Sequence, residues 1–370
     1  MPLQDIIDKL ATPGSKTMEK MYQQFELNKA GTDRTPLMLA AKMTPDCIDV
    51  VKFDKMLAEK QTPEQGLFID VYQEPDISTT NNLIPSGYTD VANVVRVPIA
   101  TNAPISKKMT INMNATDRWD AGVYSDMEKW EYRMLYNMFV MQMSIAEAQN
   151  DQIKNVLLTN RSALGGTGFN FVVDGSGYRE IPALYNEDTM TMIEANAIRD
   201  KYHFQNGKKA VLLGSTEMKQ LWMRYLTRST NNEAMLDKSL EPFEFYTSHS
   251  LAPIDPLVDK GLLWAINSGS LYVKTFVNDY TVPAQWASKD KSLEVVTMPA
   301  NPAKNLPSIT MGLYVDRQIS NLYTGVPPFD FEDSRLTPVT NFMGFTYSIV
   351  GSSYSSTTNK KPILGYRWKL

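Results

Sequence analysis

The sequence has 370 residues, of which 43% are hydrophobic and 21% are charged, and its formal net charge at pH 7 is -4. This composition is that of a globular protein with room for two or three domains, and it excludes a wholly disordered or fibrous chain. The acidic excess argues against a surface built as a whole to bind nucleic acid, because such proteins usually carry a basic excess.

The cysteine and histidine content limits the available chemistry. A single cysteine, Cys47, cannot form an intrachain disulfide, and His203 and His249 are too few for a zinc site of the usual Cys/His kind. The opening residues lack the apolar core of a signal peptide, and no run of about 18 apolar residues predicts a membrane span. We therefore expect a protein made in a reducing cytoplasm, without a cofactor or a bound metal.

The first sixty residues contain helical signals but no large apolar cluster. Two small apolar faces, within 3–10 and 18–25, are separated by Pro13 and Gly14, and acidic and basic residues are balanced. Such a segment is not a basic DNA-binding arm. It predicts an N-terminal arm, residues 1–66, that borrows its stability from elsewhere.

Residues 67–116 predict strands and an extended β-hairpin loop. After a short strand at Leu67–Tyr72, two runs alternate in the period of a strand, and the turn-rich segment TNAPISKK joins them, with Lys107 and Lys108 at the tip. An isolated hairpin is marginal in water, so we expect it to pack on its own sheet or on another copy. The candidate intersubunit contacts here are Val95, Val97, Ile99, Lys107, Lys108, Met109, Ile111 and Met113.

The run from Tyr124 to Leu158, within a predicted segment 117–164, has the clearest pattern in the chain. Its apolar residues recur at helical spacing without a Gly or Pro, which predicts a helix about 50 Å long at about 1.5 Å per residue. A second apolar stripe lies beside the first. A core helix explains the pattern, and so does a helix that contacts both its own domain and a neighbouring subunit, with Trp130 and Met134 as the candidate contacts.

Residues 165–320 predict a mixed α+β region that opens with a glycine-rich break at Gly165–Gly168. Ser215 or Thr216 is expected to cap a helix that follows a buried strand. The other predicted elements are a strand at Phe169–Val173, a helix at Asp188–Tyr202, and strands at Ala210–Leu213, Phe243–Thr247, Leu262–Ile266, Leu271–Val277, Leu293–Met298 and Ile309–Val315. Residues 321–370 add aromatic strands at Phe342–Val350 and Ile363–Trp368.

No motif in the sequence specifies catalysis. The glycine cluster lacks the Lys-Ser/Thr sequel of a P-loop, and the Gly214-Ser215-Thr216 turn lacks the spacing of a nucleophile elbow. His203 and His249 are better explained as surface or capping residues than as bases. The acidic group Asp330, Glu332 and Asp333 has no calcium-loop register, so a solvated surface is the default interpretation.

The order of these elements resembles that of a tailed-bacteriophage major capsid protein of the Hong Kong ninety-seven type. The arm Met1–Lys60, the hairpin Gly87–Ala115 and the helix Tyr124–Leu158 resemble that family's N-arm, extended loop and spine helix. The strand, turn and helix within Gly207–Leu226 look like the core of its axial domain. The predicted fold class is therefore α+β, a phage coat-protein fold with a mixed α+β axial domain.

This resemblance implies a non-enzymatic virion protein that assembles in the host cytoplasm. Copies would form pentamers and hexamers and close into an icosahedral shell, with scaffolding and portal proteins as partners and DNA enclosed without sequence-specific contact. Some relatives crosslink through a lysine of the extended loop, but no partner asparagine and acid can be assigned here.

Three alternatives remain open on the sequence alone. An encapsulin-like compartment shell would use a similar fold around cargo enzymes. A cytoplasmic hydrolase would use a carboxylate site such as Asp330, Glu332 and Asp333. A virion accessory protein that binds carbohydrate or peptide would use the aromatic C-terminal strands.

Overall fold

The computed structural model describes residues 33–59, 67–72, 94–99, 105–112, 126–159, 179–181, 210–220, 243–249, 251, 259–277, 292–301, 305–321, 336–353 and 363–369. Several predicted features lie outside these residues: the two helical faces within 3–25, the glycine break at 165–168, the strand at 169–173 and the helix at 188–202.

The described residues contain both helices and strands. The helices are α1 (Thr35–Cys47), α2 (Val50–Ala58) and α3 (Asp126–Thr159). The strands are β1 (Phe68–Tyr72), β2 (Val94–Pro98), β3 (Ile105–Asn112), β4 (Arg179–Ile181), β5 (Ala210–Gly214), β6 (Phe243–Thr247), β7 (Asp259–Ile266), β8 (Leu271–Phe276), β9 (Ser292–Met298), β10 (Ile309–Asn321), β11 (Leu336–Ser352) and β12 (Ile363–Lys369). Mixed helix and strand content confirms the α+β class.

The chain divides into two compact units, and neither is continuous in sequence. The first unit consists of Met1–Thr32, Ala100–Ala148 and Thr275–Ser348. The second consists of Asp33–Ile99, Gln149–Lys274 and Ile349–Leu370. The chain therefore leaves the first unit along α3 and returns to it along β8.

The first unit is built around a sheet with the order β3-β11-β10-β9, and β8 also pairs with β11. All three pairings along this order are antiparallel, with Phe345 opposite Ser106 and Gly312 opposite Phe345. Gly344 lets α3 approach β11 closely, because a Cβ at this position would lie 1.2 Å from Cε of Met141. Gln142 adds a directed contact, since its Nε2 donates to the carbonyl of Pro299 at 3.1 Å.

The second unit contains a mixed sheet with the order β4-β12-β7-β5-β6. β5 runs parallel to β6 and β12 runs parallel to β4, whereas β7 is antiparallel to both of its neighbours. The apolar run of β7 is buried along its whole length from Leu262 to Ile266, as expected of a central strand that is covered on both faces. Trp264 and Tyr366, both without exposed surface, are the largest side chains of this core.

A two-stranded antiparallel sheet, β1 with β2, packs on the start of the second unit. Its core face meets the junction of α1 and α2 in a buried cluster of Cys47, Ile48, Ile69, Val71 and Tyr272. The two helices begin where the sequence provides start signals. Pro36 occupies the first turn of α1, and the Asp49 carboxylate accepts the Lys52 N–H at 3.0 Å to cap α2.

This packing corrects the expectation of an extended arm for residues 33–59. Seven residues of α1 are buried, and Phe53 and Met56 of α2 are buried as well. This part of the chain has a core within its own unit, because both helices contact β1 and the residues at their junction pack on Ile69 and Val71 of that strand. The arm interpretation remains a prediction for residues 1–32.

The predicted hairpin between the runs at 95–99 and 109–113 is wrong for the described strands. β2 pairs with β1, and β3 pairs with β11 in a different sheet. Alternation fixes which residues share a face of a strand, but it does not specify the partner strand. Lys107 and Lys108 consequently lie within β3, opposite Gly344 and Met343, and not at a loop tip.

The long helix is confirmed, since α3 spans 34 residues, or about 51 Å at about 1.5 Å per residue. Between Met138 and Asn150 both apolar stripes are buried, including Met141, Ile145, Phe139 and Met143. A core helix therefore accounts for this half of α3.

Candidate functional site

The apolar candidates of β2 lie against their own chain. Val97 and Ile99 are half-buried and pack on the cluster of Cys47, Ile48, Ile69, Val71 and Tyr272. Val95 is half-buried too and pairs with Val71. These side chains share one face of the two-stranded sheet, so their burial follows from the strand period.

The opposite face of the same sheet carries a charged cluster. Asp70 is buried and pairs with Lys52 and with Arg96, whose Nε lies 3.4 Å from Oδ1 of Asp70. The guanidinium of Arg96 stacks 3.7 Å from the ring centroid of Phe68, and Lys52 lies 5.5 Å from the same centroid. Two cations thus share one buried carboxylate and one aromatic ring, which ties α2 to both strands.

The candidates of β3 are placed by the backbone register. Lys107, Lys108, Met109 and Ile111 oppose Gly344, Met343, Phe342 and Thr340 of β11. Among the described strands β3 pairs with β11 alone, so it is an edge strand of its sheet. Met113 follows the end of β3 and lies outside the described residues, whereas Trp130 and Met134 lie in the first half of α3.

The residues singled out as possible catalytic groups make structural contacts. Ser215 precedes a helix that begins at Thr216, and its backbone carbonyl accepts the Lys219 N–H at 3.1 Å. Its hydroxyl makes no hydrogen bond, so the predicted side-chain cap does not form there. The Thr216 hydroxyl lies 3.1 Å from Nδ1 of His249 at the exposed ends of β5 and β6.

The remaining candidates of this kind lie beyond the described residues: His203 and the acids Asp330, Glu332 and Asp333. Within the described ranges, no group of three or more His, Cys, Asp or Glu side chains is arranged to hold a metal ion. No helix in those ranges is long and apolar enough to cross a membrane.

Burial shifts the titration of two neighbouring core groups. Burial raises the pKa of the Cys47 thiol, and the nearby Asp46 raises it further. Burial also raises the pKa of Tyr272 to about 12, with a smaller contribution from Cys47. Both groups are neutral at pH 7, which suits a core and gives neither of them a reactive form.

A second ionisable cluster joins α1 to the edge strand β6. Nζ of Lys42 lies 3.2 Å from Oε2 of Glu244 and 3.3 Å from the hydroxyl of Tyr246, and Tyr246 donates to Glu244 at 2.7 Å. Burial raises the pKa of Tyr246, and its hydrogen bond to Glu244 adds to this effect. The cluster holds the solvent side of α1 on the sheet.

Sequence reasoning missed Asp33, a polar residue that joins several described parts of this unit. Its partners are Thr35, Asn150 and Ser248, which come from three separate parts of the chain. The only sequence signal is the Asp-x-Thr-Pro start of α1, which predicts a helix cap but not the distant partners.

The whole arrangement defines an α+β protein of two discontinuous units with edge strands and a long connecting helix. No family model matches the sequence, and no curated protein matches it. Among solved structures, 47 chains match.

Three of these structures illustrate the likeness. The cyanophage A-1(L) capsid asymmetric unit is 12% identical with a TM-score of 0.40, and the match covers 92% of this chain and 94% of that chain. A Mycobacterium phage Che8 chain is 11% identical with a TM-score of 0.37 and coverages of 84% and 87%. The cyanophage P-SCSP1u capsid is 7% identical with a TM-score of 0.32 and coverages of 80% and 81%. Likenesses this distant assign neither a family nor a function by themselves.

Proposed function

We propose that this chain is a major capsid protein of a tailed bacteriophage of the Hong Kong ninety-seven type. Its copies assemble into five- and six-membered rings and an icosahedral shell that encloses DNA. The chain is a structural protein with no catalytic role. Two of the three matched structures named above are phage capsids, but the proposal rests on this chain's own features.

The observation that carries the proposal is the path of the chain. A 34-residue helix leads out of one compact unit, a mixed sheet follows in the second, and β8 leads back into the first. The sequence resemblance rests on an N-terminal arm, a two-stranded loop, a spine-like helix and a mixed α+β region in that order. The long helix followed by the mixed sheet is the part of this order that supports the proposal. The assignment of these parts to an extended loop, a peripheral domain and an axial domain belongs to the same proposal.

Strand edges provide a physical route to assembly. Of the described strands, β3 and β9 each pair on one side only, at the two ends of the sheet order. An edge strand offers unpaired backbone donors and acceptors, and a contact between different patches on identical copies closes into a ring or continues as an open array. We propose β3, with Lys107 and Lys108, as a contact between copies.

The burial of Val97 and Ile99 narrows the set of candidate contacts. Both side chains already pack on their own core, so they have little surface to offer a neighbour. Within β2, the exposed Arg96 is the better candidate. Met113, Trp130 and Met134 stay in the proposal on the sequence pattern alone.

Imaging of the purified full-length chain tests the proposal. At increasing protein concentration, we expect rings, tubes or closed particles by negative-stain electron microscopy and a matching large species by sedimentation velocity. A protein that remains monomeric at about 1 mM would contradict the proposal. DNA inside purified particles supports a phage shell. Enclosed protein cargo would instead support a compartment shell and contradict the phage interpretation.

A pair of variants tests the contact through β3. Lys107→Glu with Lys108→Glu should lower particle yield at least about tenfold, because two such changes take the net charge of each copy from -4 to -8 and add repulsion at the proposed contact in each of many copies. Lys55→Glu is the matched control, since Lys55 lies on α2 with 77% of its side chain exposed. Equal yields from all three proteins would remove β3 from the proposal while leaving the shell function in place.

A further inference from the structure

Three separate elements of the second unit converge on Asp33, immediately before α1. One carboxylate oxygen of Asp33 accepts the Thr35 N–H at 3.0 Å and the Thr35 hydroxyl at 2.6 Å. The other oxygen accepts the hydroxyl of Ser248, which follows β6. The backbone carbonyl of Asp33 accepts Nδ2 of Asn150, which lies in α3, at 2.9 Å.

Asn150 completes a closed set of contacts. Its Oδ1 accepts the Leu37 N–H at 3.3 Å, so one amide side chain bonds to the chain on both sides of the helix start. Asn150 is 1% exposed and Ser248 has no exposed surface. Buried polar groups of this kind are costly unless they are paired, and here each finds its partner at the first turn of α1.

The position of this set in the chain gives it a consequence. Residues up to Thr32 belong to the first compact unit, and Asp33 is the first residue of the second. Bonds to a charged carboxylate are stronger than bonds between neutral groups, so the carboxylate of Asp33 is a firm attachment for the start of α1. The apolar anchors of α1 begin with the buried Pro36 and Leu37.

We propose that Asp33, Thr35, Asn150 and Ser248 form a clasp that fixes the start of α1 in the second unit. Opening the clasp frees the first turn of α1, and the core of the unit stays folded. The clasp is a conformational device, and it stands on these contacts whether or not the chain forms shells. It deepens the proposed function in one respect: within a shell, the clasp would set the origin from which the N-terminal arm reaches a neighbouring copy.

Amide hydrogen exchange with mass spectrometry, on unassembled full-length protein, tests the clasp. In Asp33→Ala, we expect exchange in a peptide covering residues 33–39 to rise about 10- to 100-fold, because hydrogen bonds to a charged group contribute about 1.5–3 kcal/mol. Peptides covering β5 and β7 should keep their wild-type protection. Asp54→Ala is the matched control. Asp54 lies on α2, away from the clasp, and its carboxylate pairs with Lys274 of β8.

Two results would overturn the clasp: unchanged exchange at 33–39, or an equal rise throughout the second unit, which would make Asp33 a general stabiliser. Should Asp33→Ala fail to fold, Ser248→Ala removes a single bond and should raise exchange at the same peptide by a smaller factor. This readout is independent of assembly. A monomeric wild-type protein would therefore contradict the proposed function without touching the clasp.

Discussion

Tyr272 illustrates how a single buried side chain makes stability depend on pH. Its ring lies in the cluster with Cys47 and Ile48, and its pKa is about 12 where an unperturbed tyrosine has 10.0. The folded state thus holds the proton more tightly than the unfolded state does. Stability from this group is fully present below pH 10 and is lost as the pH rises towards 12.

For the wild-type protein, we therefore expect the free energy of unfolding to fall between pH 10 and pH 12. The part due to Tyr272 is about 2–3 kcal/mol, at about 1.4 kcal/mol per pKa unit. Urea titrations of wild type and Tyr272→Phe at several pH values isolate this part as the difference between the two proteins in how steeply the free energy of unfolding falls with pH. Tyr72→Phe is a control at a 40% exposed tyrosine and should change the slope much less. Equal slopes for wild type and Tyr272→Phe would contradict this expectation.

Gly351 is a second residue whose role depends on Tyr272. A Cβ at position 351 would lie 2.3 Å from the tyrosine hydroxyl oxygen, and the buried ring has no room to swing aside. Gly351→Ala should lower the free energy of unfolding by about 1–3 kcal/mol through overpacking. Thermal and urea unfolding measure the loss. An unchanged midpoint would show that the ring can move.

At the scale of elements, the contact of α3 with β11 depends on the absence of a side chain at Gly344. A Cβ there would collide with Cε of Met141, whose flexible end must then find another position in a buried site. We expect Gly344→Ala to cost about 1–3 kcal/mol in the wild-type background. The cost should nearly vanish in a Met141→Ala background, although Met141→Ala alone destabilises by about 2–5 kcal/mol. Additive effects in this double-mutant cycle would mean that the two positions do not press on each other.

The elements themselves could largely be predicted from the sequence, but their partners could not. Strands such as β6 and β9 begin and end within a residue or so of the prediction, because apolar runs bounded by turn residues are local signals. The pairing of β2 with β1 and of β3 with β11 depends on contacts between distant residues, which alternation does not encode. The sequence pattern did not locate α1 and α2 individually, and their core in the second unit depends on residues distant in the chain.

The candidate site shows the same division between local and distant information. The sequence offered the apolar residues of β2 as candidate contacts between copies, whereas Val97 and Ile99 pack on a cluster of their own chain that includes Tyr272, about 175 residues later. The partners of Asp33 were equally out of reach. An Asp-x-Thr-Pro segment predicts a helix start, whereas Asn150 and Ser248 are brought to it only by the finished fold.

At the scale of the whole molecule, net charge should govern how readily copies associate. Each copy carries a formal charge of -4 at pH 7, so the like charges of many copies would add up in the proposed shell. At physiological ionic strength, salt screens the repulsion between charges that lie more than about 8–10 Å apart. Raising monovalent salt from about 50 to 300 mM should therefore lower the protein concentration needed for assembly, as measured by light scattering. A higher threshold in salt would show that ion pairs between copies outweigh the repulsion.

Pro98 affects how the outer edge of β2 can pair with a strand from another molecule. The Ile99 N–H bonds to the Leu67 carbonyl. Because backbone groups alternate in direction along a strand, the backbone N–H groups of Val95 and Val97 point towards β1, and the backbone of Val94, Arg96 and Pro98 points to the outer edge. Proline has no N–H to offer there, and Arg96 places an exposed charge beside it. A stray strand from another molecule finds an interrupted ladder on this side, so this edge of β2 is poorly suited to pairing with other molecules into fibrils.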